Sequence, residues 1–585
     1  MDELEERLLN YIDRERRFVW RDYLELQDME VEARVERGLC VSGVRCTKEG
    51  VFNYSDNLSK FRSGEFVFVS EGHPIGEEIR SKGVRAIIRE FHPERNQFII
   101  EPDNWRPAGF SNLTGKKNLT IDTRNEDFLT KRLKKSVNAV FDNTNSTSEK
   151  IRSILNGSFK EAPEDKNNSN IQSCFEGIDF LPKQEEAFID CFRRTFKLIQ
   201  GPPGTGKTFL LAHIISALAM SGKKILVTAF THRAINNVLN MVVKETDYKN
   251  VAKSGDGHDD DLDKRVGEVV DETEGCIIGA TVFKAYKEYG LEDYFDVVVF
   301  DEAGQMPLSH AICGMLHGRS YIFVGDHMQL GPIVVGNHSD KEMQKSIFEY
   351  LYDRYPDIST MLDESFRMNE WINEFPSRHF YHGVLKPHES ALGRKLQIKS
   401  GGDYQTIIDP DKPVVFVDTG HEGFMQSSKE EANLSAGVLV ELIDRHGIKP
   451  SNIAVIASHR VQVRTITDET FKLAEKVMGK KRLDQVKGDL VIDTVERIQG
   501  QERDVIIISL AASDEDFILS EAAFLLMPNR LNVAITRPRK KLIIIGSKYF
   551  FRAKPLNEDK LCMINHFKKL YHHLKNKGWI VEWRN

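Results

Sequence analysis

Gly201-Pro202-Pro203-Gly204-Thr205-Gly206-Lys207-Thr208 is the stretch whose residue types and spacing speak most directly of chemistry. A short apolar run, Lys197 to Gln200, precedes it, and an apolar helical run, Phe209 to Met220, follows. Strand, glycine-rich loop and helix in that order form a cradle for nucleoside triphosphate phosphates. Glycines let backbone N–H groups turn toward phosphate oxygens with no Cβ in the way. The positive end of the following helix favours the anion. Lys207 supplies a point charge for the β- and γ-phosphates, and the Thr208 hydroxyl is placed to hold Mg²⁺.

A second cluster is Phe300-Asp301-Glu302-Ala303-Gly304-Gln305, which ends the apolar run Asp296-Val297-Val298-Val299. A carboxylate at the carboxyl end of a parallel strand, beside a phosphate loop, is placed to hold Mg²⁺ directly or through water. Asp301 takes that role, Glu302 polarises the water that attacks the γ-phosphate, and Gln305 joins the nucleotide contacts. The bland alternative is two surface acids at a strand end. A phosphate loop with one acidic pair is shared by kinases, GTPases and many ATPases, so these two clusters alone leave the reaction open.

The elements around them read as several domains, as the 585 residues of the chain lead one to expect. Residues 1–40 are rich in Glu, Arg and Leu at helical spacing and predict a helical stalk. Residues 41–105 hold short β-type runs punctuated by Gly64, Gly72, Gly83 and Pro93, which predict a small barrel or meander. Residues 106–180 are expected to be a helical connection. It includes a basic helix from Phe128 to Phe141 and a polar loop from Glu161 to Asn170. From Leu181 the texture alternates strand and helix, with two sets of buried parallel strands, one in 181–340 and one in 341–585. The fold class is therefore α/β, with two tandem nucleotide-type sheets and a cleft between them. Asp256 to Asp263 reads as an acidic connecting loop.

Composition narrows the class further. With 40% hydrophobic and 29% charged residues the chain has an ordinary globular composition, and no apolar run approaches the ~20 residues of a membrane span. The acidic start, Met1-Asp2-Glu3-Leu4-Glu5-Glu6, lacks an apolar signal core, so an intracellular protein without a membrane partner is expected. Seven cysteines include no C-x-x-C pair, and Cys40 and Cys46 read as buried thiols. The formal net charge of −7 argues against a nucleic-acid coat. It leaves room for a local basic groove.

Further motifs carry a resemblance. Leu181-Pro182-Lys183-Gln184, Thr228-Ala229-Phe230-Thr231-His232-Arg233-Ala234 and Gly279-Ala280-Thr281 are the first three. Val324-Gly325-Asp326-His327-Met328-Gln329-Leu330-Gly331-Pro332 and Leu362-Asp363-Glu364-Ser365-Phe366-Arg367-Met368-Asn369 follow. The last are Asp493-Thr494-Val495-Glu496-Arg497-Ile498-Gln499-Gly500-Gln501-Glu502 and Asn529-Arg530-Leu531-Asn532-Val533-Ala534-Ile535-Thr536-Arg537-Pro538. In this order they resemble the superfamily 1B helicases, the group of the nonsense-mediated-decay helicase, senataxin and the immunoglobulin-mu-binding-protein helicase. The resemblance runs from about Leu181 to Ser547 and implies two RecA-like domains. The N-terminal part is similar only in its arrangement, a barrel on a helical stalk. Phe366 stands where Tyr is common, and Arg497-Ile498-Gln499-Gly500 departs from the commoner aromatic-Gln-Gly form.

The resemblance implies roles. Gln184 reads the adenine edge, Gln329 senses the γ-phosphate, and Arg367 and Arg537 enter the ATP site from the second domain. Gly500 and Glu502 lie in a motif that contacts both strand and nucleotide. Thr231, Thr281, Arg460 and Thr494 are candidate strand contacts. Phe230 and His232 are candidates for stacking on a base, with a core position the alternative for Phe230. The expected activity is ATP hydrolysis that drives a monomeric motor along single-stranded DNA or RNA, 5′ to 3′, and unwinds duplexes. The alternatives are a strand-stimulated clamp without processive unwinding, and a kinase on a phosphate loop, which the two arginine motifs oppose.

Overall fold

The computed structural model describes residues 2–583 apart from 60, 104–109, 126, 128, 143, 162–170, 172–173, 256–260, 292 and 556. The expected loop 161–170 lies outside the described residues except for Glu161, and so does most of the acidic loop at 256–263.

Residues Glu3–Gln27 form one long helix, opened by Asp2, whose carboxylate accepts from the Leu4 N–H at 2.9 Å. Glu3, Glu5 and Glu6 sit in its first turn, where the helix dipole favours acids. Leu4, Leu8, Tyr11 and Ile12 are buried in one core with Leu133 and Val137 of helix Leu129–Asp142 and with residues beneath the first large sheet. Burial of a Leu or Ile side chain stabilises by about 1.5–3 kcal/mol, so this stripe holds the helix against the body of the molecule.

The β-rich segment closes into a six-stranded barrel in the order Cys40–Lys48, Val51–Asn53, Gln97–Pro102, Val84–His92, Phe66–Glu71 and Leu119–Thr123. The sequence reading ends the barrel at residue 105 and assigns 106–180 to a helical connection. The structure extends the barrel to Thr123, and Leu119–Thr123 pairs on both sides. This strand, Leu-Thr-Ile-Asp-Thr, is half polar because Asp122 is the buried partner of Arg34, 3.2 Å away. Arg34 also donates to the carbonyls of Gln27 and Pro74, tying stalk to barrel.

Two parallel sheets follow. The first has seven strands in the order Ser359–Met361, Phe196–Gln200, Gly318–Gly325, Phe295–Phe300, Lys224–Thr228, Cys276–Gly279 and Val251–Lys253. The second has six, in the order Val491–Thr494, Ile453–Ala457, Arg503–Ser509, Pro538–Gly546, Val414–Asp418 and Ile580–Glu582. Helices cover both faces, so the strands read as near-continuous apolar runs. Helix Lys207–Met220 is buried from Leu210 to Ala219 with hardly a polar face, as a helix between two packed layers must be. The division expected at residue 340 falls later: Ser359–Met361 pairs with Phe196–Gln200 and belongs to the first sheet. Three residues with little apolar content gave no periodic signal for it.

Candidate functional site at the seam between the sheets

Each chemical group of the first sheet leaves the carboxyl end of a strand. The phosphate loop follows Phe196–Gln200, the acidic pair follows Phe295–Phe300, and Gln329 lies just beyond Gly318–Gly325. These strands are hydrogen-bonded neighbours, so topology alone gathers the three segments. Backbone packs directly on backbone there: a Cβ on Gly325 would lie 2.5 Å from the Gly304 nitrogen.

Lys207 curls back over the loop and donates to Glu302 Oε1 at 2.9 Å, with Asp301 Oδ1 3.8 Å away. Gln305 donates to the other Glu302 oxygen at 3.1 Å. Burial works to raise both carboxyls. It wins at Asp301, pushed up to about 6, whereas Lys207 wins at Glu302, whose carboxyl is held below its ordinary value. Burial also works against the Lys207 ammonium, but Glu302 and Asp301 outweigh it and raise its pKa. Glu302 has a left-handed backbone, φ 51°, a conformation that costs a non-glycine residue about 1–3 kcal/mol. In this conformation its carboxylate meets Lys207 of the loop helix.

The loop itself is closed by a segment from beyond the first sheet. The Pro203 carbonyl accepts from the Ser365 hydroxyl at 2.8 Å, and the Gly204 carbonyl accepts from the Phe366 N–H at 2.8 Å. Gly204 has φ 78°, and a Cβ there would stand 2.4 Å from Arg367 Cβ. Only glycine allows that approach. Pro202 accepts from the Thr205 hydroxyl at 2.8 Å. Gly201 is buried, while Gly206 and Thr208 are half-buried at the start of the helix, whose first N–H groups open toward the site.

Two buried arginines complete the site, Arg537 from the second sheet and Arg367 just after the short strand Glu364–Ser365. Arg537 immediately precedes strand Pro538–Gly546 and donates to Gln329 Oε1 at 3.0 Å. Its guanidinium is also held by the Val533 carbonyl at 2.9 Å. Burial and the nearby Arg367 push it down to about 9, so it stays charged at neutral pH. Arg367 donates to Glu502 at 2.7 Å and to the Thr536 carbonyl at 3.1 Å. Gly500, at φ 77°, turns the chain before Glu502. Two guanidinium groups that repel one another beside a phosphate loop make a place for an anion between them.

The sequence reading overlooked a hub at Asp326. Its carboxylate accepts from Gln200, Gln329 and the Tyr381 hydroxyl at 3.2, 2.8 and 2.7 Å. Tyr381 in turn accepts from Asn532 at 2.8 Å. Asn529 donates to the His327 carbonyl at 2.9 Å. Asp326 and Asn532 stand inside motifs quoted above, so their signal was present without a role. Tyr381 carried none, because its partners are remote in sequence.

Gln184 lies against the phosphate loop. Its amide donates to the Thr205 carbonyl at 3.1 Å and its oxygen accepts from the Leu181 N–H at 3.1 Å, so the side chain braces the phosphate loop. Thr231 and Thr281 cap helices His232–Glu245 and Val282–Tyr289, each accepting a backbone N–H at 3.3 Å. Both follow strands of the first sheet. Thr494 and Arg460 begin helices Val495–Ile498 and Arg460–Met478 at carboxyl ends of the second. Phe230 is 44% exposed, which removes the core alternative. His232 opens its helix, half-buried. Thr231, Thr281, Arg460 and Thr494 thus stand at helix N-termini that follow strands of the two sheets, a favourable setting for phosphates.

A Mg²⁺ ion fits the donor set. Asp301 Oδ1 is buried without a hydrogen-bond partner among the described residues, and Thr208 follows Lys207 on the loop helix.

Two family models, each described as AAA domain, match residues 184–335 and 343–549. The DNA replication ATP-dependent helicase/nuclease dna2 of Schizosaccharomyces pombe is 28% identical over 393 residues, covering 60% of this chain and 26% of that protein. The DNA polymerase alpha-associated DNA helicase A of the same organism is 27% identical over 428 residues, covering 60% of this chain and 61% of that protein. This chain thus spans less than two thirds of either relative's length. A crystal structure of Arterivirus nonstructural protein 10, a helicase, is 14% identical with a TM-score of 0.38, covering 86% of this chain and 77% of that one. Among the described residues no helix is long and apolar enough to cross a membrane.

Proposed function

We propose that this chain is a helicase of superfamily 1 and hydrolyses ATP at the seam between its two parallel sheets. The observation that carries this reading is Arg537, buried and charged, reaching from the second sheet to Gln329 of the first at 3.0 Å. Phosphoryl transfer depends on positioning and charge neutralisation. Lys207 and the loop amides hold the triphosphate, Glu302 orients and polarises the attacking water, and Arg367 and Arg537 neutralise charge that grows in the transition state. Thr208 and Asp301 would hold Mg²⁺, which would supply positive charge beside the triphosphate. Gln184, Gln305, Gly500 and Glu502 complete the nucleotide contacts. Moving Gln184 from its brace on Thr205 would free its amide for a base edge.

The second part of the proposal is motion. Because the charges stand on both sides of the seam, hydrolysis is fastest when the sheets close, and product release opens them. Thr231, Thr281, Arg460 and Thr494 grip a single strand of DNA or RNA by its phosphates, with Phe230 and His232 against the bases. Alternating grip ratchets the strand, 5′ to 3′ as in superfamily 1B, and a duplex ahead is unwound. The chain works alone, inside the cell, with the barrel and stalk as accessory parts. The test is ATPase rate with matched DNA and RNA oligonucleotides, joined to single-turnover strand displacement on tailed duplexes with excess trap. Strand-stimulated hydrolysis with displacement from one polarity of tail supports the motor. Hydrolysis that no strand stimulates contradicts it.

One observation favours a second reading, a strand-stimulated clamp without processive unwinding. Between helix His232–Glu245 and strand Cys276–Gly279 the described residues hold only the short strand Val251–Lys253. That leaves little material for a second accessory domain to pry a duplex apart. Stimulated hydrolysis without displacement would decide for it.

A further inference from the structure

Near Phe230, one of the proposed strand contacts on the first sheet, lies a cleft of about 850 Å³ between the body and the long helix Glu3–Gln27. Trp20, Arg17, Leu129, Ser309, His310 and Ile333 are among its lining residues. It borders the proposed strand track: its lining residue His310 has its ring 5.9 Å from that of Phe230, the residue before Thr231. A second hollow beside it is lined by Arg14, Arg17, Phe18, Arg21 and Asn337.

The charges of this helix are sorted in an informative way. Its acids facing the cleft are already engaged. Asp13 pairs with Lys134 at 2.5 Å, and Asp127 on the opposite wall pairs with Arg16 at 2.5 Å. Glu15 accepts from the Val335 and Gly336 N–H groups at 3.1 and 2.7 Å, and from His338 at 2.6 Å. Arg14, Arg17 and Arg21 recur at i, i+3 and i+7, which places them on one face. Arg14 touches only Ser339, at 3.4 Å, and Arg17 only the Asp13 carbonyl, at 3.3 Å, among the described residues. Arg21 has a loose pair with Glu25 at 3.7 Å. The cleft is therefore left positive in a chain of net charge −7. Trp20, 45% exposed, and Ile333, 78% exposed, present apolar surface at the same place. Free guanidinium groups beside an exposed indole, next to a proposed phosphate track, suit a single-stranded nucleic acid.

We propose that the long N-terminal helix is a third strand-binding surface, in which Arg14 and Arg17 contact backbone phosphates and Trp20 stacks on a base. This rests on the functional reading above and extends it from the two sheets to the stalk. Glu15 gives the surface a mechanical link, since it holds Val335, Gly336 and His338, a few residues beyond Gln329. A strand seated on the helix thus bears on the segment next to the γ-phosphate sensor.

The experiment is equilibrium binding of oligo-dT and oligo-U, short and long, over a salt series, to wild type, Arg14→Gln/Arg17→Gln, Trp20→Ala and Trp20→Phe. All these positions are exposed, and thermal melts check that the variants fold. For the long strand, the slope of log affinity against log salt should flatten by about 1.4 in the double variant, about 0.7 per lost phosphate contact. Trp20→Ala should weaken long-strand binding roughly fivefold or more, and Trp20→Phe should restore most of it. Short strands confined to the two sheets should bind and stimulate ATPase as in wild type. An unchanged slope and unchanged long-strand affinity in both variants would overturn the proposal while leaving the track on the sheets intact. A wild-type chain that binds no strand of any length would remove the functional reading and this one with it.

Discussion

In the first sheet Lys207, Asp301, Glu302 and Gln329 all leave the carboxyl ends of strands. In the second sheet the groups that meet them, Glu502 and Arg537, precede the strands Arg503–Ser509 and Pro538–Gly546. The second sheet keeps its own carboxyl ends for Arg460 and Thr494. The two sheets share parallel pairing and apolar strands, yet one offers a phosphate loop and the other does not: after Val414–Asp418 the chain runs Thr419-Gly420-His421-Glu422, with no lysine. Such a sheet has no cradle for a triphosphate of its own, and what it adds to the first sheet's site is positive charge. On the proposed reading, the difference assigns binding to one sheet and turnover to both. A motor needs that division, because hydrolysis is then coupled to the relative position of two bodies.

The sharpest way to break this comparison is to remove one group from each side. Arg537→Ala should keep ATP affinity and lose turnover by roughly 10³–10⁵-fold, as for an arginine finger. Wild-type turnover would remove Arg537 from the site. Lys207→Ala should lose turnover by about 10³-fold and, unlike Arg537→Ala, should lose ATP affinity as well. Equal ATP affinities in the two variants, read by equilibrium binding of a fluorescent nucleotide, would erase the distinction between the sheets.

Smaller effects sharpen it. Phe230→Ala removes an exposed ring and should weaken strand binding by about tenfold, with basal hydrolysis unchanged; an equal affinity would place the track elsewhere. Tyr381→Phe deletes the hydroxyl that joins Asp326 to Asn532 across the seam. The expected outcome is a few-fold loss of strand stimulation, given the roughly 1–2 kcal/mol of such a bond. Full stimulation would show that the hub carries no coupling.

The parts of the site that were legible in the sequence are those whose geometry is local. Gly201 to Thr208 dictates a turn, and Asp301 at a strand end must stand beside it once the strands pair in parallel. Arg367 and Arg537 were legible as members of motifs. Their partners were not, since Glu502 lies 135 residues from Arg367 and Gln329 lies 208 from Arg537. The barrel was foreseen from three β-type runs, at 65–69, 84–88 and 97–100. Leu119–Thr123 was missed because its Asp122 reads as a surface residue until Arg34 is seen buried against it. Gln184 shows the reverse case: its position in the sequence pointed to a nucleotide base, while its amide is occupied by the loop it braces.

The central claim, that hydrolysis is tied to movement between the sheets, is tested most directly by a distance across the seam. Met220 on the first layer and Val477 on the second are 75% and 50% exposed and can carry spin labels as cysteines, once the exposed Cys174 and Cys562 are replaced. Pulsed dipolar spectroscopy should show a distance distribution that shifts when a non-hydrolysable ATP analogue and a single strand are added, with the shift absent in Arg537→Ala. An identical distribution with and without nucleotide in the otherwise wild-type chain would contradict the account.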